Sequence, residues 1–265
     1  MLEVSRSGFY DYLRACHKAE PDIEQAAMET RIREIFVKSK YTYGSRRILR
    51  QLLSEGYTIG RYRVRSLMRK LNLKARGAKR YKVTTDSSHK YPTAPNLLNR
   101  QFEVEVPNKV WTSDITYVWT LEGWLYLAIV MDLFSRHIIG WAMDKRMKAQ
   151  LVLDALSMAY WRRKPSGGLI HHSDRGSQYA CEAYQSQLSS YRMIPSMSRK
   201  GNCWDNAPTE RFFRSLKSEY LAYCRLSTRE IAQKEVLEYI TFYNAYRLHS
   251  TLGYVSPMEY ERQNL

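Results

Sequence analysis

Three carboxylates occupy positions in the sequence that could support phosphoryl transfer. Asp114 lies inside an alternating run, Asp174 follows a short apolar run, and Glu210 lies one turn into a predicted helix, with 35 residues between the last two. Making or breaking a DNA phosphodiester requires stabilisation of an attacking and a leaving oxygen, which two carboxylate-held divalent ions can provide. Taken singly, each residue also fits an ordinary role, as a strand Asp, a turn Asp or a Glu favoured by the helix dipole.

The elements that must position these carboxylates predict an α/β domain. Asp114 lies in a predicted strand, Val110–Thr120, and Asp174 lies where another strand ends, which is where α/β sheets place their ligand sites. Three strands in series, followed by alternating helices and strands, predict a mixed sheet. The further predicted strands are residues 124–132, 137–143, 168–173 and 193–198, and the helices are residues 148–163, 177–189, 206–220 and 228–244.

The front of the chain predicts a small all-α domain. Residues 22–38, 45–55 and 61–71 have helical apolar periodicity, and a break that begins and ends with glycine separates the last two. Arg61, Arg63 and Arg65 lie away from the apolar stripe of the last helix, where a helix-turn-helix unit would contact DNA. A plain helical hairpin with solvated arginines remains the alternative. Residues 74–102 are basic and carry no apolar period, which indicates a linker.

Composition and charge favour a polyanion partner. The net charge is +16, of which residues 1–100 carry +13 and the remainder +3. A basic excess concentrated in one region is typical of nucleic-acid binding, although a basic surface alone is the simpler alternative.

The four cysteines form no C-x-x-C pair, and the longest apolar run, residues 124–131, is far shorter than the roughly 18 residues of a membrane span. We therefore expect a cytoplasmic protein.

Several sequence blocks resemble a known family. The carboxylates lie in WTSDITY (111–117), HSDRGSQY (172–179) and DNAPTERFF (205–213), and the chain ends with YNAYRLHSTLGYVSP (243–257). The front of the chain contains SRSGFY (5–10) and YGSRRI (43–48). Together with the 35-residue gap, these blocks resemble the downstream-frame product of the insertion sequence three family of transposases, whose catalytic domain is similar to retroviral integrases.

The resemblance implies a fold, an activity and a cofactor. It implies a ribonuclease-H-like core over residues 103–222, preceded by a helix-turn-helix-like region (1–73) and a basic linker (74–102), and followed by a helical extension (223–265). It also implies that Asp114, Asp174 and Glu210 hold two Mg²⁺ or Mn²⁺ ions. The implied reaction is nicking at transposon ends, followed by attack of the DNA 3′-hydroxyl on another phosphodiester.

The resemblance also implies partners. These are double-stranded DNA, namely the terminal inverted repeats and the target, further copies of the chain on that DNA, and a helix-turn-helix protein encoded by an upstream frame. Lys200, in a basic loop, and Arg214 and Lys217, on the face of the helix that carries Glu210, are candidates for DNA contacts, with a solvated charged face as the alternative.

Two other functions fit parts of the sequence. A non-catalytic DNA-binding regulator built on residues 22–73 would make the three carboxylates incidental. A nuclease acting on RNA–DNA hybrids or branched DNA would use the same fold, but the tail at residues 243–257 argues against it.

His171 and His172 adjoin Asp174, yet Mg²⁺ disfavours imidazole, so structural or DNA-positioning roles are expected for them. Asp132 is expected to be a turn residue paired with Arg136.

Overall fold

The structure is a computed structural model, and the residues described are 5–17, 23–77, 91–199 and 203–265. The chain divides into two compact units, Met1–Ala75 and Arg76–Leu265. None of the helices in these described ranges is both long and apolar enough to cross a membrane.

Helices α1 to α4 form the first unit. They span Arg6–His17 (α1), Ile23–Lys38 (α2), Ser45–Ser54 (α3) and Arg61–Lys70 (α4), so that the three predicted helices match within a residue at each end. The sequence analysis assigned no structure to α1. The buried side chains of α2, α3 and α4 form the core of the unit: Ile32, Ile35, Phe36, Ile48, Leu52, Val64, Leu67 and Met68.

The turn between α3 and α4 is closed by glycine and by an ion pair. Gly56 has a φ of +88°, a left-handed conformation that favours glycine, and the next residue, Tyr57, donates its backbone N–H to the carbonyl of Leu52 over 3.0 Å. Arg31 on α2 donates Nε and Nη2 to the two carboxylate oxygens of Glu55 over 2.7 and 2.6 Å. The end of α3 is therefore held against α2.

A five-stranded mixed sheet organises the second unit. Its strands are Val110–Thr120 (β1), Gly123–Asp132 (β2), Ile138–Asp144 (β3), Ile170–Ser173 (β4) and Ile194–Met197 (β5), in the spatial order β3-β2-β1-β4-β5. The pairs β1–β2 and β2–β3 are antiparallel, whereas β1–β4 and β4–β5 are parallel. This arrangement confirms the predicted α/β class, and it places β4 beside residues 110–112, at the start of β1.

Helices pack on this sheet. They are Ala149–Arg163 (α5), Ser177–Ala180 (α6), Glu182–Ser190 (α7), Ala207–Arg214 (α8), Arg229–Ala245 (α9) and Pro257–Asn264 (α10). The approach of α5 to β3 requires a glycine, because a Cβ on Gly140 would lie 2.3 Å from the carbonyl oxygen of Ala155 and 2.8 Å from the Cβ of Ala159. A buried cluster that includes Trp111, Val130 and Leu156 fills the space under α5 and α7.

Two predicted helices are interrupted. The predicted helix 177–189 breaks at Cys181, whose φ and ψ of −68° and 151° are extended, and this break separates α6 from α7. The predicted helix 206–220 begins with a 3₁₀ turn, Cys203–Asn206, and ends as a π-helical segment, Ser215–Tyr220.

The predicted pairing of Asp132 with Arg136 was wrong, because the carboxylate of Asp132 is bonded by backbone N–H groups instead. It accepts the backbone N–H groups of Asn108 and Phe134 over 2.9 and 3.0 Å, while Arg136 donates to the carbonyl of Phe102 over 2.8 Å. Because Asp132 is fully buried at the end of β2, these bonds fix the turn that leads into β3.

The C-terminal tail is anchored to the core and to the helix that follows α8. On α9, the side chain of Asn244 bonds both the N–H and the carbonyl of Ile138, each over 3.0 Å. Beyond α9, the buried Arg247 donates Nη2 to both carboxylate oxygens of Glu219 over 3.1 and 2.8 Å and to the hydroxyl of Ser215 over 3.2 Å. The ion pair and the hydrogen bond of Arg247 therefore fix the position of the π-helical segment that follows α8.

Candidate active site

Asp114 is the carboxylate of the central strand. It lies half-buried in β1, opposite Ile129 of β2, and its Oδ1 accepts the backbone N–H of Ile115 over 2.8 Å. The strand forms because β-branched and aromatic residues alternate along it. β2 pairs with β1 at Asp114, and β4 pairs with the preceding residues 110–112, so that the backbone leading to Asp114 is held on both sides.

Asp174 follows the last residue of β4 and is held by its own turn. Its Oδ1 accepts the backbone N–H of Gly176 over 2.9 Å. A Cβ on Gly176 would meet that same oxygen at 3.0 Å and the Oε1 of Gln178 at 3.2 Å, so the absence of a side chain leaves room for the carboxylate. The parallel pairing of β4 with β1 brings this turn beside the strand that carries Asp114.

Glu210 lies in the first turn of α8, and two hydrogen bonds tie the start of this helix to β1. The hydroxyls of Thr209 and Thr112 bond over 2.8 Å, and Asn206 Nδ2 donates to the carbonyl of Ser113 over 3.1 Å. Both bonds involve residues adjacent to a carboxylate of the triple. The position of Glu210 relative to Asp114 is therefore set by buried polar contacts.

Asp205 fixes the segment that leads into α8. Its fully buried carboxylate accepts Nε and Nη2 of Arg199 over 3.0 and 2.8 Å, Nε of Arg100 over 2.9 Å and Nδ2 of Asn96 over 3.0 Å. The hydrogen bonds from Arg199 lower the pKa of Asp205 well below its usual range. Residues 96–100, which fall in the predicted basic linker, are thereby attached to the segment that leads into α8.

The three carboxyl groups influence one another electrostatically. Burial raises the pKa of Asp114 well above its usual range, and the charges of Asp174 and Glu210 raise it further, whereas Lys217 lowers it. Burial also raises the pKa of Glu210, against the lowering effect of Arg214. Two carboxyl groups of the triple therefore act electrostatically on the third, against the opposing effect of Lys217.

The carboxylates do not form a preassembled metal cage. Across the ranges 5–17, 23–77, 91–199 and 203–265, no three His, Cys, Asp or Glu side chains are close enough together to hold a metal ion. The carboxyl groups are thus within electrostatic range of one another without being drawn together as ligands.

The two histidines beside Asp174 have structural positions. Both are buried, and His171 Nε2 bonds the hydroxyl of Ser113 over 2.9 Å. His172 bonds the hydroxyls of Ser196 and Ser198 through Nδ1 and Nε2, over 2.9 and 3.1 Å. Burial lowers the pKa of His171 to about 3 and that of His172 to about 4, so that both rings stay neutral. Because both are buried, they do not contact DNA in this conformation.

Lys217 reaches the site from the π-helical segment. Its ammonium lies 4.4 Å from the centre of the Tyr117 ring, and burial lowers its pKa to about 8, while Asp114 raises it.

Arg214, one turn after Glu210, is exposed. Arg61, Arg63 and Arg65, hereafter the α4 arginines, are exposed on α4 in the other unit. Lys200 lies outside the described residues.

Sequence analysis did not single out two residues near the carboxylates. Asp205, which anchors the segment before α8, and Tyr179, whose hydroxyl is buried near Asp114 and Asp174, both lie inside blocks already quoted for the family resemblance. Their presence in those blocks was the available signal, but the contacts that give them a role come from tertiary packing.

Family models match most of the chain. Two models, both described as "Integrase core domain", match residues 105–203 and 210–265, and a third, described as "HTH-like domain", matches residues 22–81.

Relatives match over the full length. The "Insertion element IS600 uncharacterized 31 kDa protein" of Shigella sonnei is 41% identical over 98% of this chain and 96% of its own length. "Transposase InsF for insertion sequence IS3A" of Escherichia coli (strain K12) is 40% identical over 100% of this chain and 93% of its own length. This chain belongs to the insertion sequence three family of transposases. Membership confirms the family resemblance noted in the sequence blocks.

Solved structures agree with this transposase in fold. A chain of the simian T-cell lymphotropic virus intasome, solved in complex with PP2A regulatory subunit B56 gamma, has a TM-score of 0.51 and 15% identity, over 79% of this chain and 68% of that one. Together with the integrase core models, this likeness confirms the predicted ribonuclease-H-like catalytic core preceded by a helix-turn-helix-like region.

Family and fold together give the function of this transposase as DNA transposition and integration, which is polynucleotidyl transfer. The helix-turn-helix-like domain implies DNA binding. Nothing in these comparisons favours a non-catalytic regulator.

Proposed function

We propose that Asp114, Asp174 and Glu210 form the catalytic centre and hold two divalent ions, Mg²⁺ or, in its place, Mn²⁺. The observation that carries this proposal is the electrostatic effect of Asp174, at a strand end, and Glu210, at a helix start, on Asp114 in the central strand. A bound cation stabilises the charged form of carboxyl groups that raise one another's pKa.

The chemistry of the side chains fits such ions. Carboxylate oxygens are the ligands that Mg²⁺ prefers, and the two nearby imidazoles are engaged with serine hydroxyls. A buried phenol near Asp114 and Asp174, that of Tyr179, has no hydrogen-bond partner. When bound, the ions would stabilise charge on the attacking and leaving oxygens of a phosphodiester.

The reaction that we propose has two stages. Water first hydrolyses one phosphodiester at each transposon end, which exposes a DNA 3′-hydroxyl. This hydroxyl then attacks a phosphodiester of the target, so that a new phosphodiester forms and the 3′-hydroxyl of the broken target strand is released. Asp114 and Asp174 would position the ions from rigid backbone, and Glu210 would complete the site from α8. Lys217, whose ammonium lies near Asp114, would hold a DNA phosphate beside the reacting bond.

DNA would contact both units. We propose the α4 arginines, on the exposed side of α4, as contacts to the transposon end, and Lys200 and Arg214 as contacts near the scissile bond. The proposed regions remain 1–73 for DNA binding, 74–102 for the basic linker, 103–222 for the catalytic core and 223–265 for the extension. Because each chain carries one carboxylate triple and a transposon has two ends, we propose that it acts as a homo-oligomer on DNA, with an upstream-frame helix-turn-helix protein as a further partner.

Cleavage and joining of a labelled transposon-end duplex test the proposal. The wild-type chain, alone and with the upstream-frame product added, is incubated with Mg²⁺, with Mn²⁺ or with chelator. We expect nicking only when an ion is present, and joining only from ends that carry a 3′-hydroxyl rather than a 3′-deoxy terminus. Asp114→Asn should abolish both reactions, whereas Asp154→Asn, on the exposed side of α5, should leave them unchanged. Cleavage in chelator, or full activity of a folded Asp114→Asn variant, would contradict the proposal.

A further inference from the structure

A buried tyrosine, Tyr179, follows Asp174 closely in the chain. It is on the short helix α6, five residues after Asp174, and its side chain is 1% exposed. Its ring packs edge-on against the ring of Tyr184, with centroids 5.2 Å apart and an interplanar angle of 83°. This packing fixes the ring and therefore the direction in which the phenol oxygen points.

The phenol oxygen of Tyr179 has no hydrogen-bond partner, although it is buried. The neighbouring phenol, that of Tyr184, bonds His171 Nε2 over 3.2 Å and is also linked to Ser113. A buried polar atom without a partner destabilises the folded state, and such atoms are uncommon in native proteins. Other buried atoms of the described residues, such as Trp111 Nε1 and Thr116 Oγ1, also lack a partner. Tyr179 differs from them in following Asp174 by five residues and in lying within electrostatic range of two carboxyl groups of the proposed metal site.

Asp114 and Asp174 are candidate partners for this phenol. After burial and the neighbouring Tyr184, the charges of Asp114 and Asp174 raise the pKa of Tyr179 well above its usual range. The phenol therefore lies within electrostatic range of both carboxylates and stays protonated, as a hydrogen-bond donor. Carboxylate oxygens that do not bind an ion are acceptors and are commonly bonded by a surrounding shell of donors.

We propose that Tyr179 is a positioning residue for the metal site: its hydroxyl donates a hydrogen bond to a carboxylate oxygen of Asp114 or Asp174 once a divalent ion has drawn these groups together. The inference rests on the proposed function of the carboxylates. It adds a residue outside the carboxylate triple that acts through them, and it explains why a hydroxyl remains buried where a phenylalanine would fill the same space.

The competing explanation is that Tyr179 only fills the core. Removal of the hydroxyl separates the two explanations, because Tyr179→Phe keeps the ring. If the hydroxyl acts only in the ion-bound site, the variant should be at least as stable as the wild type without ions, since a buried group without a partner has been removed. Tyr184→Phe is the matched control, because it removes a hydroxyl that already has partners and should therefore destabilise the ion-free protein.

Binding of Mn²⁺ to the full-length chain is the deciding measurement, with free Mn²⁺ followed by electron paramagnetic resonance. Substitution of a residue that orients a metal ligand typically weakens binding about 10-fold to 100-fold. We expect Tyr179→Phe to weaken Mn²⁺ binding about 10-fold, and Tyr184→Phe to change it less than about 2-fold. Unfolding in urea without ions, followed by tryptophan fluorescence, gives the second readout.

Two results would overturn the inference. One is Mn²⁺ binding by Tyr179→Phe that equals that of the wild type, and the other is a loss of ion-free stability as large as that of Tyr184→Phe. Asp174→Asn separates failure of this inference from failure of the proposed function. If Asp174→Asn abolishes Mn²⁺ binding while Tyr179→Phe does not affect it, the metal site stands and the role of Tyr179 falls. If the wild type itself binds no Mn²⁺, the proposed metal site is contradicted and this inference with it.

Discussion

Glu261 holds the C-terminal helix α10 on the core, and its neutralisation should have a cost that depends on pH. Its carboxylate accepts the hydroxyl of Ser135 and Nη2 of Arg163, each over 2.6 Å, and bonds His137 Nδ1 over 3.2 Å. Glu261→Gln keeps the size of the side chain but removes the charge. We expect the variant to fold and to be less stable than the wild type at neutral pH.

The magnitude follows from the shifted pKa. Burial raises the pKa of Glu261, but hydrogen bonds from His137, Arg163 and Ser135 outweigh it and lower the pKa from 4.5 to about 2. This difference corresponds to about 3 kcal/mol in the free energy of unfolding. Because the pKa of the folded state is the lower one, the contribution is fully present above pH 4.5 and is lost as pH falls towards 2. Between pH 7 and pH 3, the difference between wild type and Glu261→Gln should therefore shrink by about 2 kcal/mol.

Urea unfolding at a series of pH values, followed by tryptophan fluorescence, measures this difference. The six tryptophans, at positions 111, 119, 124, 141, 161 and 204, all lie in the unit Arg76–Leu265, so the signal reports that unit alone. Glu259→Gln, on the more exposed side of the same helix, is the control and should have a much smaller effect. A difference between wild type and Glu261→Gln that stays constant from pH 7 to pH 3 would refute the reasoning.

Three other substitutions test the packing and the DNA-binding surface. Gly140→Ala should lower the free energy of unfolding by about 1–3 kcal/mol in urea, because its Cβ would overlap the backbone of α5; stability equal to wild type would contradict that contact. Arg247→Met should cost about 3 kcal/mol by leaving the charge of Glu219 without its partner, and adding Glu219→Gln should restore part of the loss; no recovery would count against the pair. Replacing the α4 arginines together with alanine should make the slope of log K against log[salt] for DNA binding shallower by up to about 3, and an unchanged slope would exclude them as phosphate contacts.

Elements with strong local signals could be predicted from the sequence. The bounds of β1 were predicted correctly because β-branched and aromatic residues alternate along the whole strand. Helices α3 and α4 were predicted within a residue because their apolar periods begin or end near Gly44, Gly56 and Gly60. These signals lie within a few residues of the elements that they define.

Interruptions of helices could not be predicted in the same way. The break at Cys181 has no glycine or proline beside it, and the apolar residues Tyr184 and Leu188 continue a helical spacing across it. The π-helical segment after α8 is contacted by Arg247, which lies about thirty residues further along the chain. A local pattern contains no information about such a partner.

The candidate site was predictable in its residues but not in its assembly. The local contexts of Asp114, Asp174 and Glu210 predicted a strand, a strand end and a helix start, and the structure has them in these places. That β4 lies beside β1, and that Asn206 ties α8 to β1, depends on sheet order and long-range packing. These contacts bring the carboxylates within electrostatic range of one another.

The central claim is that Glu210 belongs to a catalytic metal site rather than to a helix terminus. Glu210→Gln keeps the length and shape of the side chain but replaces a charged oxygen ligand with a neutral amide, which Mg²⁺ binds poorly. Glu182→Gln is the matched control, because Glu182 also lies in the first turn of a helix and is exposed.

Cleavage and joining of a labelled transposon-end duplex in Mg²⁺, with DNA binding and urea unfolding measured alongside, test the claim directly. Our account predicts that Glu210→Gln loses nicking and joining together, keeps DNA binding, and unfolds within about 1 kcal/mol of the wild type, whereas Glu182→Gln stays active. Near wild-type turnover by a folded Glu210→Gln protein would contradict the catalytic assignment.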